Sequence, residues 1–385
     1  MKVTKEKNLL FANQPKPVLS KDVTAQVPSK NAIRKFDYES DVEFNLFLPT
    51  TEKPQVDFIR EENNAKIKVT NFKLGQHTFP PNIRSVGVPS LGKNVRTLTE
   101  PPITTASLPD HLDLKPVPSE IPKELRTPPF FKVQPSQTEK IGNQPTASNQ
   151  TTTGNQATTV FLPDDRRVFS DTSYPWSTIG RVDTPLGSGT GVMVGPKHML
   201  TVSHVIQWLD NNQAGWVQFR PAYFAPSAPF GEAWGVTTYW KLKVVNNGGI
   251  DGTEEMFDYV VVVLDRNIGN DSTGWMGSKS YTDAWDGNPY WSHVGYPTDL
   301  TAANKPTFQN TISLDGHSWE DDAHESMDHR GDVWPGQSGG PFFAWWADGW
   351  PYVVAVQSWQ NSSFNGTSGG ADLVDLINRA RTEHP

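Results

Sequence analysis

The stretch Val333-Trp334-Pro335-Gly336-Gln337-Ser338-Gly339-Gly340-Pro341 decides how this chain is read. A serine set among glycines sits where the backbone can turn sharply and another molecule can approach closely, because glycine tolerates dihedrals that a side chain forbids. The same letters fit G-x-S-x-G, a strand-to-helix turn in which the acid and then the histidine come later in the chain than the serine. That order fails here. After Ser338 the only histidine is His384, next to last, and Pro341 with Phe342, Phe343, Trp345 and Trp346 reads as a strand where that turn needs a helix. The order left to test is histidine, acid, serine.

Upstream, the apolar runs Gly191 to Val194 and Met199 to Val202 flank Gly195-Pro196-Lys197. Two short apolar runs about such a turn predict a β-hairpin, with His204 just past its second strand. Between His204 and Ser338, Asp258 precedes Tyr259-Val260-Val261-Val262-Val263-Leu264-Asp265. An acid at the head of a buried strand is costly unless it is paired, so Asp258 is the orienting acid, whereas Asp265 at the far end faces water. In this triad Ser338 attacks a carbonyl and His204 takes its proton and returns it to the leaving amine. Asp258 fixes the imidazole tautomer and stabilises the imidazolium. The backbone N–H groups of Gly336 and Ser338 form the expected oxyanion hole. No cofactor or metal is required.

These segments together resemble the trypsin-like serine proteases of the chymotrypsin fold, in which SGT-GVMV leads through LTVSH to the histidine. Val160-Phe161-Leu162-Pro163-Asp164-Asp165-Arg166-Arg167, followed by Asp171-Thr172, resembles the mature amino terminus of the glutamyl endopeptidase family. Val294-Gly295-Tyr296-Pro297 and GQSGGP resemble that family's GYP segment and nucleophile loop. The resemblance covers roughly residues 160 to 385. It implies a serine endopeptidase, made as a zymogen and exported, acting as a monomer on protein or peptide substrates. Short apolar runs separated by turns read as all-β, and the resemblance makes them two antiparallel six-stranded barrels. A C-terminal helix follows, with Asp372 as cap, Leu373, Leu376, Ile377 and Ala380 on one face, and Arg379 and Arg381 near its negative end. A silent binding module is disfavoured because every triad position is filled, and an esterase by the residue order.

In the same family a histidine on the strand after the nucleophile, helped by a threonine before it, reads the substrate carboxylate. Gln357, in Val356-Gln357-Ser358-Trp359, and Val333 stand in those places. Neither is a cation, so they do not predict strict Glu cleavage. Asp332, six residues before Ser338, falls where trypsin carries its pocket aspartate and would favour Lys or Arg, with Trp334 and Trp359 narrowing the cleft. Chymotrypsin-like zymogens pair the freed amine with an aspartate immediately before the nucleophile. Gln337 holds that place, so the same ion pair cannot form. The resemblance instead sets the new α-amino group of Val160 near the specificity pocket, after cutting between Thr159 and Val160.

Composition divides the 385 residues at the same point. All 14 tryptophans lie from Trp176 to Trp359 and read as packing residues, whereas residues 1 to 159 hold none of them and 18 of the 32 prolines. The first part carries 21 Lys+Arg against 16 Asp+Glu and the remainder 13 against 26, an asymmetry that fits mutual attraction between the two parts or the solubility of an acidic second part. Its basic residues are scattered among prolines and acids, which excludes a nucleic-acid patch. There is no cysteine, hence no disulfide and no thiol nucleophile. The opening MKVTKEKNLLFANQ lacks the apolar core of a signal peptide, and no run is long enough to span a membrane, so export rests on the resemblance alone. Residues 1 to 41 read as extended or disordered, Val42 to Leu48 and Lys66 to Leu74 as two strands of a small β unit, and 142 to 159 as an exposed linker. His317, Glu320, Asp321, Asp322, His324, Glu325, Asp328 and His329 read as a solvated acidic loop. His324 and His329 are five apart, the wrong spacing for HExxH zinc ligation, and clustered carboxylates leave calcium as the alternative.

Overall fold

Val260–Leu264 has apolar side chains on both faces, so it suits a strand covered on both sides. In the computed structural model all five residues are buried, between the antiparallel strands His198–Thr201 and Ala233–Trp240. The structure describes residues 15–19, 55–61, 64–70, 86–87, 103–107, 160–161, 164–210, 213–245, 249–320, 325–360 and 364–385. Strands Ile179–Thr184, Gly187–Gly195, His198–Thr201, Val260–Leu264, Ala233–Trp240 and Gln218–Pro221 pair in that order. Gln218–Pro221 then pairs back to Ile179–Thr184, so hydrogen bonds close a six-stranded barrel. The hairpin expected about Gly195-Pro196-Lys197 is its second turn.

The second sheet runs Leu314–Glu320, Glu325–His329, Asn365–Gly369, Pro351–Gln360, Pro341–Trp345, Trp291–Gly295, Thr307–Ile312, Arg167–Val168. Among the described residues no pairing joins its two ends, so it is a curled half-barrel, and the second closed barrel of the expectation is not shown among them. Arg167–Val168 pairs with Thr307 and Phe308 at the start of Thr307–Ile312. The C-terminal helix Ala371–Glu383 buries Leu373, Leu376, Ile377 and Ala380 as its pattern predicts, in one cluster with Val260–Leu264. Its cap is Gly370, and Asp372 lies inside the first turn, ion-paired with Lys241. A second core gathers Tyr281, Trp285, Trp291 and Trp346, with tryptophan centroids 5.6 Å apart for Trp285–Trp346 and 5.9 Å for Trp285–Trp291. Such pairs add about 0.5–1.5 kcal/mol each beyond the area they bury.

Pieces of the first 159 residues lie on this body. Ile103–Thr104 pairs with Gly277–Lys279 of the second sheet, and Val86–Gly87 pairs with Gln213–Ala214 beside the first. Val18 donates its N–H to the Trp345 carbonyl at 2.8 Å, and Trp346 Nε1 donates to the Pro15 carbonyl at 2.9 Å. Gln55–Glu61 and Asn64–Thr70 form an antiparallel hairpin. Its second strand overlaps the one expected at Lys66 to Leu74. The strand expected at Val42 to Leu48 and the linker at 142 to 159 lie outside the described residues.

Candidate active site

A short helix delivers Asp258. Asp251 opens Gly252–Phe257 with a reciprocal cap: its Oδ1 accepts the N–H groups of Thr253 and Glu254 at 2.9 and 3.0 Å, and Glu254 Oε2 accepts the Asp251 N–H at 3.0 Å. The helix ends at Asp258, which is wholly buried. His204 lies on the single turn Ser203–Val205 that follows the strand His198–Thr201. Its Nδ1 is 2.5 Å from Asp258 Oδ2, and its backbone N–H donates to Oδ1 at 2.8 Å. Ser358 donates its hydroxyl to Oδ2 at 2.6 Å. An ionised carboxylate only accepts, so Nδ1 carries the ring proton and Nε2 is left as the acceptor. Asp265 is exposed, and its Oδ1 caps the Trp234 N–H at 2.8 Å.

The nucleophile loop is held almost wholly through its backbone. Thr190 donates its N–H to the Ser338 carbonyl and its hydroxyl to the Gly336 carbonyl, both at 2.8 Å. The amides of Gln337, Gly339 and Gly340 donate to the carbonyls of Trp334, Gln357 and Gln337. Among the described residues, the amides of Gly336 and Ser338 have no acceptor in the protein. Gly336 has φ +100° and Gly339 φ +84°, and a Cβ on Gly339 would run into the Thr190 carbonyl and Thr201 Oγ1. Only glycine follows such a path without strain. The loop lies beside the histidine turn: a Cβ built on Gly189 would be 3.1 Å from the Ser338 carbonyl oxygen and 3.2 Å from Val205 Cγ1. Gln357 and Ser358, consecutive in one strand, therefore hold both the serine loop and the Asp258 carboxylate.

The residues singled out for a specificity pocket have varied surroundings. Asp332 is buried, and its carboxylate accepts the Phe161 N–H at 2.7 Å, the Asp165 N–H at 2.8 Å and Gln309 Nε2 at 3.2 Å. Burial pushes its pKa up to about 7, Asp164 adds to the rise, and the two amides work against it. Val160 is half-buried at the start of the segment Asp332 holds, Val333 is buried, and Trp334 and Trp359 are half-buried. Gln357 donates to the carbonyls of Trp359 and Gly366 and accepts from His329 Nε2 at 2.9 Å. His329 Nδ1 accepts the Gly331 N–H at 3.0 Å, so the ring is neutral with its proton on Nε2. Burial, with His293 nearby, pushes the His329 pKa down to about 3.

Sequence reasoning missed Thr190 and His329, and it named Ser358 for the specificity pocket without its bond to Asp258. Thr190 sits in the quoted SGTG, where a threonine between glycines is a signal of backbone bonding. Ser358 neighbours Gln357, and the alternation of a strand sends its side chain to the opposite face, toward Asp258. His329 was read within the acidic run. It ends the strand Glu325–His329, paired with Leu314–Glu320, and residues 321–324 between them lie outside the described residues.

No family model matches the chain. Over 187 residues it is 30% identical to the glutamyl endopeptidase of Bacillus licheniformis, a match covering 48% of this chain and 54% of that one. Over that stretch this chain is similar to a glutamyl endopeptidase. It spans about half the length of that curated relative. Among solved structures, a Glu endopeptidase in complex with MPD aligns with TM-score 0.46 and 21% identity, over 58% of this chain and 100% of that one. The protease Anisep from Arthrobacter nicotinovorans aligns with TM-score 0.41 and 19% identity, over 56% and 99% of the two chains.

Proposed function

We propose that the chain is a serine endopeptidase in which Ser338, His204 and Asp258 act as nucleophile, general base and orienting acid. The observation that carries this reading is the His204–Asp258 contact, made by both ring and backbone, beside a glycine-bounded serine loop. Ser338 Oγ attacks the scissile carbonyl as His204 Nε2 accepts its proton, and the imidazolium hands that proton to the leaving amine. The acyl-enzyme is then hydrolysed by the reverse route. The free amides of Gly336 and Ser338 suit an oxyanion, because their neighbours are already engaged and these two are not. Relatedness to a glutamyl endopeptidase supports peptide substrates. A fluorophosphonate probe tests the reading: it should label the protein at Ser338 and fail on Ser338→Ala, and absence of labelling on the processed protein would end it.

None of the side chains singled out for the pocket brings a cation to it. Gln357 is fixed by three partners and the histidine behind it is uncharged, while the Asp332 carboxylate is occupied by backbone amides. Cleavage of a peptide library is expected to show no strict preference for Glu, and a dominant Glu preference would mean that another cation builds the pocket. Residues 1 to 159 act as a pro-segment removed between Thr159 and Val160, and Asp332 then holds the new terminus by its second residue, Phe161. Sequencing the amino terminus of active enzyme checks the cut, and full activity with the Thr159–Val160 bond intact would refute the zymogen.

A further inference from the structure

Gln337, immediately before Ser338, is 1% exposed, and its side-chain oxygen has two donors. The Trp334 N–H reaches Oε1 at 3.0 Å from within the loop, and Arg166 reaches it at 3.0 Å from outside. The rest of the Arg166 fork is spoken for. Its Nε and one terminal nitrogen meet Asp164, and both terminal nitrogens meet Asp299, the shortest bonds being 2.7 Å. Arg166 and Asp164 are each buried, so the charge cannot be satisfied by water. Burial alone would lower the guanidinium pKa, and the two carboxylates more than reverse this, so it stays charged. On its other side Gln337 packs against Gly295, where a Cβ would come within 2.7 Å of its Cγ. The amide therefore has one place to be, and it closes the turn from Trp334 to Ser338 on which the two free N–H groups sit.

We propose that Arg166 is a positioning residue for the nucleophile loop, acting through Gln337 from inside the chain as a freed amino terminus would act from its end. This rests on reading Ser338 as the nucleophile. No new terminus is needed to bring a cation to the residue before the serine, because this cation is carried six residues after Val160 and its two carboxylates lock it in place. A bond broken before Val160 leaves every one of these contacts in place. The loop is thus set before processing, and processing changes what lies near Val160.

The test starts from the full chain, measures turnover after processing before Val160, and uses two substitutions of similar volume. Gln337→Met fills the space but offers Arg166 and the Trp334 N–H no acceptor, whereas Gln337→Glu keeps an oxygen for both. Peptide turnover should fall on the order of 10²-fold in kcat for Gln337→Met, with KM changed by less than about twofold, since loss of alignment acts on the transition state. Gln337→Glu should lie within about tenfold of the parent. Amide exchange of the 334–340 segment should speed up in the first variant and not in the second. A packing role alone predicts the opposite ranking. Parent-like turnover and exchange in Gln337→Met, or a worse result for Gln337→Glu, overturns the proposal. If neither the parent nor the variants cleave peptides, the protease reading fails, and the exchange pattern still decides the role of Arg166.

Discussion

Asp258→Asn separates the two halves of the carboxylate. Oδ1 faces the His204 backbone N–H at 2.8 Å, while Oδ2 faces both the ring Nδ1 at 2.5 Å and the Ser358 hydroxyl at 2.6 Å. An asparagine with its NH₂ toward the backbone amide would oppose donor to donor, which costs about 1–3 kcal/mol at a buried site. The side chain therefore turns the other way and its NH₂ donates to Nδ1. Ser358 can rotate its hydroxyl, but the imidazole cannot keep a proton on Nδ1, so it moves to Nε2. The ring then has no lone pair for the Ser338 proton. The expected loss is about 10⁴ in kcat, as in the Ser-His-Asp template, or roughly 5.5 kcal/mol of transition-state stabilisation. Peptide turnover and the rate of fluorophosphonate labelling measure it, with circular dichroism to confirm the fold. Turnover within tenfold of the parent would refute the reasoning, and so would equal damage from Asp265→Asn, whose carboxylate only caps Trp234.

Gly339→Ala should cost about 2–5 kcal/mol, from left-handed strain plus the collision with Thr190 and Thr201, and should abolish labelling; a denaturant melt within 1 kcal/mol of the parent would contradict it. Burial, aided by Arg381 and Lys197, pushes His198 down to about 4 against the Ala380 carbonyl that raises it. The unfolded chain takes that proton below about pH 6.5 and the native state does not, so the contribution is whole above pH 6.5 and is lost toward pH 4 at about 1.4 kcal/mol per pH unit. Asp332 and Glu255, both pushed up to about 7 by burial, pull the total the other way, so the readout is the difference between parent and His198→Asn across pH 7 to 5. A difference that does not change with pH would show that His198 is not held neutral.

The candidate triad residues could be picked out of the chain because they sit in local patterns: an apolar hairpin before His204, an unbroken apolar strand after Asp258, glycines around Ser338. The strands of the first barrel followed from the same runs, and its closing from the resemblance. What fixes the loop could not be read this way. Arg166, Thr190 and Asp299 act at separations of 171, 146 and 133 residues in sequence, and no periodicity carries such contacts. Asp332 is the sharpest case. Its place in the sequence suggested a group facing substrate, while its surroundings bind it to the backbone of Phe161 and Asp165.

The strands that the first 159 residues lend to the body bear on what a single cut would do. Ile103–Thr104 lies along Gly277–Lys279, Ser107 exchanges two backbone bonds with Trp275, and Val18 is tied to Trp345. None of these bonds involves residues 159 or 160. A cut there would leave these bonds in place, and the expected product is a nicked pair that migrates as one particle in gel filtration and as two bands under denaturing gel conditions. Departure of the smaller fragment then becomes a separate event, and it bares the row of backbone donors and acceptors along Gly277–Lys279, an adhesive edge open to any extended peptide.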